Sequence, residues 1–233
     1  MVGSAEFPNY NIASTSGPGI LYVNSKITDA KSMPPALFAQ WYEDVHIADI
    51  FATKPQGIKS AFRYETVTPG KVERPYLALY PMEDMSFLTS DAFRSIPVND
   101  NLLPDGGPIF NFADFDTRYY SNVQHLKGEA KRAAVPSHVV TLCFDVEGDD
   151  ASKAESIIKK LPLQEEAIRV SLYKNYFSRQ NRLAPGEGGL KAPPKFLVVM
   201  EFNKEVDISS LKDTGVAAEY KNLKSFGEKK AFF

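Results

Sequence analysis

The sequence predicts an α+β protein in which two tandem βαββαβ units face each other and close into one barrel-like body. Three observations lead there. The chain has 233 residues, too many for one such unit and comfortable for two of roughly 100 residues each. The order strand, helix, strand, strand, helix, strand can be read twice along it, in element pattern rather than in residue identity. The strands also carry apolar or aromatic side chains on both faces, so a sheet covered by helices on one side still needs a partner on the other.

The elements follow in order. Behind a polar arm over residues 1–18, the segment 19–27 alternates and is bounded by Gly-Pro-Gly, which reads as a strand. Ser32-Met-Pro-Pro35 opens a helix over about 35–53, because proline is tolerated in a first turn whose N–H groups lack intrahelical acceptors. Leu37, Phe38, Trp41, Val45, Ala48 and Ala52 give that helix one apolar face. Strands are predicted over 58–67 and 76–82, a shorter helix over 86–95, a Pro/Asn/Asp/Gly-rich loop over 97–108 and an aromatic strand over 110–120. The second half offers a strand over 139–146, a helix over 151–161 and a strand over 168–178. A Pro/Gly-rich loop over 179–194, a strand over 196–203, a short helix over 208–214 and a terminal strand near 229–233 complete it. These readings place a first repeat at 19–126, a linker at 127–137 and a second, diverged repeat at 138–233.

Alternation sorts the strand residues into two faces. In 58–67, Ile58, Phe62 and Tyr64 share one face and Ala61 and Val67 the other. In 76–82, Tyr76, Ala78, Tyr80 and Met82 oppose Leu77 and Leu79; in 169–177, Ser171, Tyr173, Asn175 and Phe177 oppose Val170, Leu172 and Tyr176. An aliphatic face suits packing under helices. An aromatic, hydroxyl-bearing face suits the wall of a cavity between the two sheets, and 11 Tyr and 16 Phe can furnish one. The plainer reading is that these rings cover an open sheet. On the cavity reading Tyr22, Asn24, Phe62, Tyr64, Tyr80 and Tyr173, with Trp41 from the helix, are the candidate substrate contacts.

Composition narrows the function. A formal net charge of −2 offers no basic surface of the kind that displaces counterions from nucleic acid. One cysteine, Cys143, excludes an internal disulfide and sits in an apolar run, where a small buried hydrophobe is the expectation. With no basic start followed by an apolar stretch, and no run approaching a membrane span, the expected location is the cytoplasm. His125 and His138 show no metal-ligand spacing with His46. Pro185-Gly-Glu-Gly-Gly189 lacks the Lys-Ser/Thr and helix of a phosphate loop. No metal and no cofactor is expected.

The segment richest in chemistry is the first helix. Tyr42, His46, Asp49 and Thr53 recur at i, i+4, i+7 and i+11 and form a polar stripe. There an imidazole can exchange a proton near neutral pH, with Asp49 or Tyr42 orienting it, and Thr53 near a mouth at the helix end. On an ideal wheel, however, His46 falls about 130° from the centre of the apolar arc, on the solvated side. Arg63 lies on the face opposite Tyr64, where a surface or structural ion pair is preferred over a grip on a substrate carboxylate. Glu43 and Asp44 read as solvated helix charges.

Trp41-Tyr-Glu-Asp-Val-His46-Ile-Ala-Asp49, followed by Gly57-Ile-Lys-Ser-Ala-Phe-Arg63-Tyr64, resembles the first helix and second strand of the EthD-like family, within the dimeric α/β-barrel superfamily. The likeness covers about 19–120. It departs from the family at Ala48, where members often carry proline, and the second half resembles the superfamily only in element order. The resemblance implies two facing ferredoxin-like sheets around a pocket with His46 at its rim. It also implies cofactor-independent chemistry on a small aromatic or polyketide-like molecule. The expected activity is an acid/base lyase or isomerase step (decarboxylation, cyclisation or dehydration), with His46, Asp49 and Tyr42 as catalytic candidates. The alternatives are a cofactor-free monooxygenase acting on a phenol and a non-catalytic small-molecule-binding barrel. With both halves in one chain, a monomer or a homodimer fits, with one working pocket and the second half as its wall.

Overall fold

Alternation becomes sheet in eight places. A computed structural model describes residues 15–128, 134–181, 183 and 186–228. The first half supplies β1 (Gly19–Ile27), β2 (Ser60–Thr66), β3 (Tyr76–Met82) and β4 (Ala113–Lys127). The second supplies β5 (His138–Phe144), β6 (Arg169–Gln180), β7 (Phe196–Phe202) and β8 (Val216–Gly227). All pairings are antiparallel, and the ring β1-β3-β2-β8-β5-β7-β6-β4 is closed. Each half thus contributes four strands in the spatial order fourth, first, third, second, and the seams β2/β8 and β4/β6 join them. Closure leaves no open sheet edge. Two tandem ferredoxin-like units therefore form the dimeric α/β-barrel architecture within one chain.

The seams repeat each other. Across β2/β8, Tyr64 stands opposite Asn222; across β4/β6, Tyr173 stands opposite Asn122. Beside each pair the register shifts, leaving Leu223 and Val123 without a partner position. Both of these point outward and are exposed, as expected at a bulge, where one extra residue is turned out of the ladder.

Inside the ring, Ile20, Tyr22, Phe62, Tyr64, Leu77, Leu79, Tyr120, Tyr173, Leu197, Val199 and Tyr220 pack into one buried cluster. Tyr22 meets Tyr120 edge to face at 5.9 Å, and Asn24 Nδ2 donates to the Tyr220 hydroxyl at 3.2 Å. The rings fill the middle of the barrel instead of lining a hollow between the sheets. The expected central cavity is corrected to a recess at one mouth, described below. Alternation alone did not say which face turns inward, and β3 runs opposite to expectation: Leu77 and Leu79 enter the barrel, while Tyr80 and Met82 face the helices.

The outer faces carry the helices. In the first half α1 (Pro35–Gln40), a wider π-helical segment (Trp41–His46) and α2 (Ile47–Ala52) form one continuous rod. It lays Phe38, Trp41, Tyr42, Ile47 and Ile50 on Leu21, Val23, Ala61, Ala78, Tyr80, Phe115 and Tyr119. The helix predicted over 86–95 is a 3-10 turn, Met85–Thr89, and then α3 (Asp91–Arg94), divided at Ser90, whose hydroxyl caps α3 by accepting from the Phe93 N–H. In the second half α4 (Ala151–Ile158) and α5 (Leu163–Glu166) bury Ala154, Ile158 and Leu163 against Val140, Leu142, Val170, Leu172, Val198 and Met200. Gly57 explains one residue of the first-half motif: a Cβ there would lie 1.9 Å from Cγ of Phe87.

Three strands depart most from expectation. The closing strand is Val216–Gly227, whereas the segment predicted as terminal strand, 229–233, lies outside the described residues. β8 pairs on both sides, so its backbone bonds and not a strong hydrophobic alternation hold it. β4 begins at Ala113 and runs on to Lys127, and β6 runs to Gln180, two residues into the predicted loop. The extra residues of each pair with the other strand along the β4/β6 seam, Ser121–Lys127 with Val170–Lys174 and Arg179–Gln180 with Asp116–Thr117, a stabilisation that no local pattern displays. Among the described residues no helix is long and apolar enough to cross a membrane.

Candidate active site in the helix–sheet layer

Pro34 and Pro35 start the first helix with no side-chain cap, proline costing nothing in a turn whose N–H groups have no intrahelical partner. Six residues on, the helix widens: the Ile47 N–H bonds the Tyr42 carbonyl, five residues back. Residues five apart then lie over one another. Trp41 and His46 stack with centroids 4.9 Å apart and planes at 15°. On a regular α-helix, five residues turn through about 140° and the two rings would diverge. The π turn therefore carries His46 off the solvated side where an ideal wheel puts it. Single π turns are frequent at functional sites.

His46, Trp41, Tyr42 and Ile50 form one wall of a pocket between helix and sheet. β1 adds Leu21 and Val23, β3 Tyr80, and β4 Phe115 and Thr117; Phe93, Ile96, Val98, Ile109 and Phe110 cover it, and Arg179 enters from β6. The cavity itself is small, about 80 Å³. Its walls are apolar except for a few groups, which is the usual build of a small-molecule site.

Those polar groups are ordered. The Tyr80 hydroxyl donates to the Tyr42 hydroxyl at 3.1 Å, which leaves the Tyr42 proton available to an acceptor in the pocket. Burial raises the pKa of both phenols, so both stay protonated at neutral pH. The Arg63 guanidinium lies 4.5 Å from the Tyr42 ring centroid and bonds Glu43 Oε1 at 2.7 Å. Arg63 is 2% exposed, and Glu43 also meets Lys224 at 2.9 Å. Arg63 is thus the structural ion pair expected of it, while Glu43 is corrected from a solvated charge to the half-buried partner of two cations. Asp44 is exposed.

His46 is the unusual titrating group. Its pKa falls to about 4, chiefly through burial and secondarily through the Arg63 charge, with a hydrogen bond to the Pro97 carbonyl working the other way. Its Nδ1 is buried with no hydrogen-bond partner. At neutral pH the ring is an uncharged imidazole, a base and not an acid.

The structure divides the sequence candidates. Trp41, Tyr42, His46 and Tyr80 meet in this pocket. Asp49 stands apart, its pKa raised by burial and by Asp100, and it is not among the groups acting on His46. The Thr53 hydroxyl donates to the Ile50 carbonyl at 2.8 Å and closes the helix instead of opening a mouth. Phe62, Tyr64 and Tyr173 belong to the barrel interior. Tyr22 and Asn24 line a separate polar recess at one barrel mouth with Arg118, Thr141, Cys143 and Tyr220. There Arg118 grips Asp116 at 3.0 and 2.6 Å, and burial pushes the Cys143 thiol up. His125 and His138 bond Ser171 and Ser137, each at 2.9 Å, away from the pocket. Sequence reasoning missed Ile96, Val98, Ile109, Phe110 and Arg179. Val98 lay in the predicted loop, Ile96 and Ile109 at its edges and Phe110 at the start of the predicted fourth strand, and Arg179 reaches the first half only through the seam, opposite Thr117. Among the described residues no three His, Cys, Asp or Glu side chains gather as a metal site would require.

No protein-family model matches the chain. The core atranone cluster (CAC) protein 1 of Stachybotrys chlorohalonatus is 26% identical over 223 residues, spanning 90% of this chain and 92% of that protein. Among solved structures, a provisionally designated monooxygenase from Fusobacterium nucleatum aligns with a TM-score of 0.49 at 14% identity, covering 94% of this chain and 98% of its own. Another from Lactobacillus acidophilus gives 0.49 at 8%, covering 93% and 99%. A provisionally designated chlorite dismutase gives 0.48 at 10%, covering 89% and 95%. Alignments at that level carry no weight for function.

Proposed function

We propose that this chain is an EthD-like enzyme that performs a cofactor-independent acid/base step on a hydrophobic aromatic or polyketide-like small molecule. The step is of the lyase or isomerase kind: decarboxylation, cyclisation or dehydration. The observation that carries the reading is the neutral His46 imidazole, stacked on Trp41 in an apolar pocket, with an unpartnered Nδ1 and the Tyr42 ring edge-on to it at 5.4 Å. In such a site the imidazole takes a proton from an acidic carbon or phenol, and the Tyr42 O–H, already polarised by Tyr80, donates to the oxygen where charge develops. Apolar walls exclude water and strengthen both interactions. Negative charge forming in the substrate raises the proton affinity of His46 as the reaction proceeds. Fold does not choose among these reactions; the relative named for the atranone cluster supports small-molecule chemistry in general.

The test is turnover of a panel of aromatic β-keto acids and polyphenolic acids, followed by mass spectrometry under argon and under air. His46→Gln should slow turnover by about 10²-fold or more, and Tyr42→Phe by a smaller factor. Full activity in His46→Gln removes the imidazole from the mechanism. A product that forms only in air replaces the lyase reading with a monooxygenase.

A further inference from the structure

The recess at the barrel mouth belongs to neither helix layer. It holds about 230 Å³, against about 80 Å³ for the helix–sheet pocket. Both halves build it: β1, β4 and the 71–74 segment wall it from the first, β5 and the start of β8 from the second.

The two seams explain why space is left there. Asn122 stands opposite Tyr173 and Asn222 opposite Tyr64, so β4 and β8 correspond through these asparagines. Two residues at a time toward the start of each strand, Tyr120 matches Tyr220, Arg118 matches Ala218 and Asp116 matches Val216. The tyrosines fill the barrel in both halves. Nearer the mouth, β4 carries an ion pair where β8 carries short apolar side chains. The volume that β8 gives up stays open beside the charges of β4.

The polar groups around that space are mostly donors. Arg118 Nε and Nη2 bond Asp116 at 3.0 and 2.6 Å, whereas Nη1 reaches only the Tyr120 hydroxyl at 3.4 Å and Cys143 Sγ at 3.6 Å. Charge-assisted bonds run at about 2.7–2.9 Å, so the partners of Nη1 are weak ones. Thr141 is 2% exposed and shares the inner face of β5 with Val139 and Cys143. Its hydroxyl makes no hydrogen bond among the described residues, a cost that a ligand oxygen would offset. The charges of the wall are three cations, Lys71, Arg74 and Arg118, and two carboxylates, Glu73 and Asp116. Both carboxylates already meet cations. Lys71, exposed at the rim, has no carboxylate partner among the described residues.

We propose that this recess is a second ligand site, separate from the helix–sheet pocket, and binds the carboxylate of a small single-ring organic acid. Arg118 Nη1 and the Thr141 hydroxyl donate to the carboxylate oxygens, Lys71 attracts the anion at the rim, and the ring lies against Val216 and Ala218. The space is several times the ~30 Å³ share of a water molecule, which suits one ring and its acid group. The site is independent of the reaction assigned to His46.

Benzoate and its neutral isostere benzamide are the probes, titrated into the full chain at neutral pH and low salt by calorimetry, with Trp41 emission followed in parallel. Trp41 is the chain's one tryptophan and lines the helix–sheet pocket, not the recess, so a ligand in the recess should leave its emission unchanged. The wild type should bind benzoate at least about fivefold more tightly than benzamide. Thr141→Val keeps the shape, removes the donor and should weaken benzoate about fivefold. Lys71→Gln should weaken it about threefold with benzamide unchanged. Ala218→Leu, which fills the space, should abolish binding of both. Equal affinity for acid and amide overturns the proposal, as does no benzoate binding up to about 10 mM. Benzoate affinity left intact by Thr141→Val and Lys71→Gln overturns it too. A Trp41 emission change that tracks the whole isotherm places benzoate in the other pocket and has the same effect. Should Thr141→Val not fold, Lys71→Gln decides: an undiminished preference for the acid refutes the site.

Discussion

The burial of His46 has a consequence measurable without a substrate. The imidazole titrates at about 4 in the folded protein and near 6.5 in an unfolded chain. Between those values the unfolded state binds a proton that the folded state refuses. Stability therefore rises with pH across this window: the contribution is complete above about pH 6.5 and is lost as pH falls toward 4. The ring alone should remove about 2 kcal/mol by about pH 5 and about 3 kcal/mol by about pH 4. His125 and His138 are lowered in the same direction, but both remain in a His46→Gln variant, so the difference between the two proteins isolates the one ring. Urea unfolding followed by far-UV circular dichroism at neutral pH and at about pH 5 is the assay. The wild type should lose about 2 kcal/mol more than His46→Gln over that interval, whatever the offset at neutral pH from the lost Trp41 stacking. Equal losses would mean that the ring is hydrated in the folded state, and the acid/base role would lose its physical basis.

Two further outcomes follow from named contacts. Arg63→Met should destabilise the fold by about 3 kcal/mol in chemical denaturation, because Glu43 keeps only Lys224. The double variant Arg63→Met/Glu43→Leu should recover much of that loss, and a single variant as stable as wild type would show the pair to be idle. Asp49→Asn should raise stability at neutral pH by about 0.5 kcal/mol, since burial and Asp100 both disfavour its charge. It should also leave the pH dependence of turnover unchanged; a shifted profile would return Asp49 to the catalytic group.

The architecture was legible because it rests on period and order. Two-residue alternation in 58–67 and 76–82, and the helical face from Leu37 to Ala52, are local signals that tertiary structure only had to arrange. The choice of face was not local. Phe62 and Tyr64 point into the barrel, yet Tyr80 points out of it, because antiparallel neighbours and the closing seams set which face is inside. β8 was missed for the same reason, its residues being fixed by two pairing partners more than by a pattern of their own. Within the candidate site, Tyr42 and His46 were found from spacing and resemblance, but the geometry that joins His46 to Trp41 is a π turn, and an ideal wheel cannot show one. Arg179 had no local signal at all.

The two halves have diverged in what their helix layers hold. The second-half layer packs Ala154, Ile158, Leu161 and Leu163 directly against its sheet, with Leu211 completing it. The first-half layer is spaced by large rings, Phe38, Trp41 and Tyr42, and is roofed by the 95–112 segment through Ile96, Val98, Ile109 and Phe110. Small aliphatic side chains let helix and sheet close on each other, whereas rigid aromatic plates and a widened helical turn hold them apart along one line. That line is where His46 and Tyr42 border the pocket. The helix–sheet pocket thus lies in the first of these two helix layers, and the seam at β4/β6 is the route by which the second half brings Arg179 to its wall.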